Sequence, residues 1–238
     1  MPPDPTKSRR YAVYFAPAPD SALWRAGSRW LGRDAVTGEP LTQPVADGID
    51  PGRLVDVTEA PCFYGFHATM KPPFHLRDGA DEAGLIEAVD AFAAGCTAFQ
   101  AGPLTVGRLG RFMALVLAGR SPEMERFAAA CVRELDGFRA APSRTDVDRR
   151  RTHGLTDRQE AYLQQWGYPY VMEEFRFHMS LTGGFDDEDL RARIETALDA
   201  LFAAVAAEPL QVDSVCLFRQ ENRRTPFRLT ARFALGRR

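Results

Sequence analysis

The sequence predicts an α+β protein, duplicated and bilobal, over a single domain spanning residues 1–238. Three observations carry this. Two strand-like stretches, Tyr64-Gly-Phe-His-Ala-Thr-Met-Lys-Pro-Pro-Phe74 and Phe175-Arg-Phe-His-Met-Ser-Leu-Thr182, each pair an apolar face with a polar one. An amphipathic helical segment follows each of them. The order strand, helix, linker, motif strand, helix, strand pair then occurs twice, with His67 and His178 in corresponding places about 111 positions apart.

Taken in order, residues 11–16 read as a buried strand that Pro17 and Pro19 end, and Asp20 or Ser21 can cap the helix that follows. Leu23, Trp24, Gly27, Trp30 and Leu31 give that helix a core-facing stripe. Residues 33–60 read as an extended loop rich in Gly, Pro and Asp, with at most a small helical turn. The first motif strand is stopped by Pro72 and Pro73, which cannot donate to a sheet ladder. A helix over 82–95 and strands near 98–108 and 112–118 come next. The last of these is continuously apolar, as a strand covered on both faces would be.

Ser121 and Pro122 open a helix running to about Phe138. Residues 139–155 are Arg-rich and read as an exposed connection. Thr156-Asp-Arg-Gln159 matches a capping box, so a short helix through Trp166 is expected from it. After the second motif strand come a helix capped near Asp186 and strands at about 210–219 and 227–235. The first lobe centres on 60–118 and the second on 171–238, each completed by elements of the other half.

Alternation puts Tyr64, Phe66, Ala68 and Met70 on one face of the first motif strand and His67, Thr69 and Lys71 on the other. In the second, Phe175, Phe177, Met179 and Leu181 oppose Arg176, His178, Ser180 and Thr182. His75 and His153 have no hydroxyl residue two places on. Two lobes related by an approximate two-fold set the two histidines across one cleft. Imidazole is suited to both proton removal and proton donation near neutral pH, and hydroxyls can hold non-bridging phosphoryl oxygens where charge builds up. Lys71 and Arg176 share those faces and would add positive charge, unless they serve only as solvated ion-pair partners. Tyr14, on the opening strand, reads more readily as a core aromatic than as a residue of the cleft.

Basic and acidic residues number 30 and 32, which gives no strong field for duplex nucleic acid or an anionic membrane. Cys62, Cys96, Cys131 and Cys216 lie far apart, against a zinc knuckle or disulfide framework and in keeping with a reducing compartment. The first ten residues read as a loose, Pro-rich leader, and the apolar run after them is too short for a membrane span. A cytoplasmic monomer without membrane partners is the expectation.

The two His-x-Ser/Thr strands, one per half, resemble those of the two-histidine (2H) phosphoesterase superfamily. Arg10-Tyr-Ala-Val-Tyr-Phe-Ala-Pro17, the Tyr64–Phe74 run and the stretch Trp166–Gly183 further resemble its bacterial branch associated with phosphonate utilisation. The resemblance implies two pseudo-symmetric, mostly antiparallel sheets with outer helices and a central cleft. It implies catalysis without a metal or other cofactor, His67 and His178 as acid and base in an unassigned order, and Thr69 and Ser180 as phosphate holders. It also implies a small phosphodiester substrate, such as a ribosyl 1,2-cyclic phosphate carrying a 5-phosphate, opened by hydrolysis.

Three rivals stand beside that reading. RNA 2′,3′-cyclic or 2′,5′ end processing would use Arg149, Arg150, Arg151, Arg223 and Arg224 with Tyr168 and Tyr170, although the net charge of −2 lends it little help. A metal hydrolase would draw on His67, His75 and His178, with no acidic ligand cluster in support. A phosphate-ligand binding module would keep the cleft without turnover.

Overall fold

The computed structural model describes residues 9–152 and 154–236; residues 1–8 of the expected ten-residue leader, and His153, lie outside them, while Arg10 belongs to the first strand. The opening strand β1 (Arg10–Phe15) leads into helix α1 (Ala22–Leu31), capped by the Ser21 side chain, which accepts from the Trp24 amide. Helix α2 (Pro51–Tyr64) follows, then β2 (Ala68–Phe74), α3 (Glu82–Gly95), β3 (Phe99–Gln100), β4 (Leu104–Leu109) and β5 (Phe112–Leu117). The second half continues with α4 (Pro122–Glu134), α5 (Arg144–Arg151), α6 (Asp157–Trp166), β6 (His178–Ser180), α7 (Glu188–Ala206), β7 (Gln211–Val212), β8 (Ser214–Gln220) and β9 (Arg228–Ala234). No helix among the described residues is long and apolar enough to cross a membrane.

Two stretches read as loop are helical. Residues 51–64 form α2 because Asp50 caps it, Pro51 occupies its first turn, and Leu54, Val57, Thr58 and Pro61 bury one stripe. Pro61 inside that run, with the Gly and Pro residues before it, hid the pattern. Within the Arg-rich connection, Ser143 caps α5 by accepting from the Asp146 amide. The capping box at Thr156 and Gln159 is present in full. At the second motif only residues 178–180 pair as strand.

The sheet has seven strands in the order β4-β5-β6-β2-β1-β8-β9, and every pairing in it is antiparallel. Its two parts, β4-β5-β6 and β2-β1-β8-β9, join through one residue pair, Ala68 opposite Met179. The lobes are not the sequence halves. Strands β4 and β5, expected beside the first motif, flank the second, while β8 and β9 flank the first. Each half therefore lends its last strand to the lobe of the other. A separate ribbon pairs β3 with β7, again equivalent elements of the two halves.

The apolar faces hold where the motifs are strand-like, but Tyr64, expected on the first of them, ends α2 and lines the cavity beside His67. Phe66, Ala68 and Met70 are buried under the first lobe, and Phe177, Met179 and Leu181 under the second. Helix α1 braces the junction: the indole N–H of buried Trp30 donates to the Leu181 carbonyl at 2.9 Å.

Candidate active site

The Ala68–Met179 pair fixes the geometry of the polar face. Carrying its antiparallel register one residue each way sets His67 across from Ser180 and Thr69 across from His178. All four side chains then lie on the face opposite Ala68 and Met179, with cross-strand neighbours about 5 Å apart at Cβ. Each histidine thus stands opposite the hydroxyl residue of the other motif in the ladder.

The two rings are anchored alike. His67 Nδ1 lies 2.8 Å from the Gly65 carbonyl oxygen and His178 Nδ1 lies 2.8 Å from that of Arg176. A carbonyl only accepts, so both Nδ1 atoms carry the proton and both neutral rings keep an Nε2 lone pair. His67 Nε2 is 3.2 Å from Thr69 Oγ1, which can donate to it. Burial pushes His67 down to about 4; the Gly65 bond opposes this, and the positive charge of His178 adds to it. His178 is lowered too, chiefly by burial, against the bond to Arg176.

Tyr14 is the buried core aromatic it reads as, and it also borders this site. Its ring stacks on His67 with centroids 3.7 Å apart and planes 19° apart. Residue Tyr14 pairs with Thr69 across β1 and β2, so both point to the polar face. A cavity of about 600 Å³ opens over that face, with Tyr14, His67, Thr69 and Ser180 in its wall. His178 is not among the lining residues, but its ring sits 5.7 Å from that of Phe112, which is.

Lys71 and Arg176 are not brought to the cavity. Strand β2 slips by one residue between Thr69, opposite Tyr14, and Lys71, opposite Val13. This β-bulge turns Lys71 onto the Val13 face. There its ammonium is buried and donates to Asp136 at 2.9 Å and to the Val132 carbonyl at 3.1 Å. Arg176 precedes the paired part of β6 and lies beyond the end of β5, so no ladder holds its alternation. Its side chain is exposed, and only its carbonyl serves the site, through His178.

At the other end of the cavity stand residues that the sequence reading named only for the rival functions, together with Arg10, which it named for none. Arg10, His75, Arg150, Tyr168 and Arg223 line this end. Of these, Arg10 carried a usable signal, since it stands four residues from Tyr14 on a regular strand and so shares its face. His75 stands with this arginine group, and its Nδ1 is 2.9 Å from the Arg9 carbonyl. Among the described residues no group of His, Cys, Asp and Glu has the grouping of a metal site.

Comparison with known proteins gives two kinds of match. The chain is 41% identical over 221 residues to ribose 1,5-bisphosphate phosphokinase PhnN of Janthinobacterium sp. (strain Marseille), covering 92% of this chain and 49% of that protein. It is 35% identical over 222 residues to the protein of the same name from Laribacter hongkongensis (strain HLHK9), covering 92% and 50%. The chain thus spans about half the length of the curated relatives it matches. Among solved structures, Escherichia coli LigT complexed with 3′-AMP aligns over 95% of this chain and 98% of its own, at 12% identity and a TM-score of 0.42. A structure described as a phosphoesterase aligns over 96% and 98%, also at 12% and 0.42. Residues 69–228 match the family described as "Protein of unknown function (DUF1045)", and the chain belongs to that family.

Proposed function

We propose that this protein is a 2H-type phosphoesterase, a hydrolase that opens a small cyclic phosphodiester by acid–base catalysis between His67 and His178, with no step requiring a metal. The observation that carries the reading is the crosswise placement of two equally anchored imidazoles and two hydroxyls about the Ala68–Met179 pair.

In this mechanism Thr69 and Ser180 donate hydrogen bonds to the non-bridging oxygens and hold phosphorus between the rings. His67, neutral down to about pH 4, acts as the base. Its Nε2 takes a proton from water as the water oxygen bonds to phosphorus. The bond from phosphorus to the departing ring oxygen breaks in line, and His178, protonated once the anionic substrate is bound, gives its Nε2 proton to that oxygen. Tyr14 holds the plane of His67 by stacking.

The substrate reading rests on chemistry and on the relatives. Opening a ribosyl 1,2-cyclic phosphate at the phosphorus–O2 bond leaves the phosphate on C1. The relatives carry a name for an enzyme of ribose 1,5-bisphosphate, which bears a phosphate there. A step that supplies a sugar 1-phosphate fits such company in phosphonate utilisation.

The test is turnover of ribosyl 1,2-cyclic phosphates, 2′,3′-cyclic nucleotides and cyclic-phosphate RNA ends by the wild-type protein and by His67→Ala and His178→Ala. Each substitution should lower kcat/KM by about 10²–10⁴-fold while the fold persists. Turnover that survives either change refutes the pairing. Activity abolished by a chelator and restored by zinc would mean a metal hydrolase, and binding without opening would mean a non-catalytic module.

A further inference from the structure

We infer that the end of the cavity away from His67 and His178 is a second anion subsite, built from Arg10, Arg150 and Arg223, which holds a phosphomonoester group carried by the same substrate molecule. The inference rests on the function proposed above for the histidine end.

Charge is the first ground. Arg10, Arg139, Arg149, Arg150 and Arg223 stand in the cavity wall with one carboxylate, Asp146, and Arg139 is held by Asp136. Asp146 serves two of them, accepting from Arg223 at 2.8 and 3.0 Å and from Arg149 at 2.9 Å. Arg10 and Arg150 have no carboxylate partner among the described residues. Arg10 spends its Nε on Gln220, at 2.6 Å, and lies 5.3 Å from the centre of the Phe227 ring. Arg150 lies 4.5 Å over the ring of Tyr168. The next residue, Arg151, shows the ordinary alternative, since it faces away and pairs with Glu160. Gathering guanidiniums that repel one another around a half-enclosed space is unfavourable unless an anion enters it. Burial and neighbouring Arg223 both act against the charge on Arg10.

Position is the second ground. Arg10 and Tyr14 share a face of β1 four residues apart, roughly 13 Å of strand. The cluster is therefore offset along the strand from the phosphorus position between the histidines, whose proposed holders are hydroxyls. A cyclic diester is a monoanion and leaves the arginines unused. A terminal phosphomonoester brings close to two negative charges and three oxygens, which suits planar guanidinium forks better than a single carboxylate would. Bounded space of about 600 Å³ with cations at one end fits a small molecule charged at both ends. A nucleic-acid strand would instead call for cations along an open groove.

The experiment compares kcat/KM for ribosyl 1,2-cyclic phosphate with and without a phosphate on C5, in the wild-type protein and in Arg10→Gln and Arg150→Gln. The wild type should prefer the phosphorylated diester on the order of a hundredfold, and each substitution should shrink that preference at least about tenfold. In parallel, ribose 5-phosphate is titrated calorimetrically into the His67→Ala/His178→Ala protein, alone and with Arg150→Gln added. Saturable binding that the arginine substitution weakens about tenfold or more supports the subsite. Equal turnover of the two diesters, or ribose 5-phosphate affinity indifferent to Arg10 and Arg150, overturns it. If no diester is opened while arginine-dependent binding persists, the proposed hydrolysis falls and the subsite stands.

Discussion

Lys71→Met separates a structural lysine from one acting in the cleft. Its side chain is 1% exposed, with the ammonium bonded to Asp136 and to the Val132 carbonyl. Removing one member of a buried ion pair usually costs about 3–5 kcal/mol, because the other charge is stranded. Here Asp136 is not stranded, since Arg139 donates to both of its oxygens at 2.8 and 3.0 Å. Methionine also fills nearly the same volume and carries no charge to desolvate. The expected loss is therefore about 2 kcal/mol, or roughly 4–8 °C in melting temperature for a chain of this size. Asp136→Ala should cost more, since it leaves a buried ammonium with one carbonyl and a like-charged Arg139 nearby. Thermal unfolding followed by circular dichroism gives the order, and kcat on the cyclic diester should stay within about twofold in Lys71→Met. A kcat reduced tenfold with the melting temperature unchanged would put Lys71 in the cleft and refute the bulge argument.

Acid should unfold the protein through its histidines. His67 in the folded state stays neutral to about pH 4, whereas an unfolded histidine titrates near 6.5. Between those values the unfolded chain binds more protons, so stability falls as pH drops through that window, by up to about 3 kcal/mol from His67. His178, also lowered, acts in the same direction. Urea midpoints at pH 7 and pH 5 should differ accordingly, and His67→Gln should flatten the dependence; an equally steep profile in that variant would count against the burial of His67. Gly65→Ala should cut kcat at least about tenfold and stability by about 1–3 kcal/mol. Gly65 has φ of +82°, an added Cβ would meet that of Ala35 at 2.6 Å, and the Gly65 carbonyl anchors His67. Ala35→Gly should restore only part of the loss, since the backbone strain remains; full recovery would mean the clash alone was responsible.

How much of this was legible in the sequence depends on whether a feature is local to one strand. The apolar alternation of Phe66, Ala68 and Met70, and of Phe177, Met179 and Leu181, is a property of each segment and was readable. So was the capping box at Thr156. The side taken by Lys71 was not, because a bulge is defined by the partner strand, and nothing in Thr69-Met-Lys71 marks it. Tyr14 is the core aromatic it read as, and its second place beside the cavity was hidden for a related reason. A residue can be buried in the core and still border a cavity, and here the ring covering Tyr14 on that side is His67. The arginine end required α5, whose Asp146, Arg149 and Arg150 fall on one face at i, i+3 and i+4. Reading residues 139–155 as an exposed connection hid that face.

The exchange of strands explains why the site needs both halves of the chain. β2 pairs on one side with β1, which in turn is flanked by β8 from the other half, while β6 rests on β5, flanked by β4 from the first. Neither motif strand has a complete sheet made from its own half. A half chain expressed alone would leave an unpaired edge where its exchanged strand is missing. The Ala68–Met179 contact would have no partner to form it. Because that one pair sets His67 against Ser180 and Thr69 against His178, the polar face depends on a contact between distant parts of the chain, as the still longer-range pairing of β1 with β8 does. The proposed site therefore exists only where the two lobes are joined, and a change that separates Ala68 from Met179 would part His67 from Ser180 and Thr69 from His178 together.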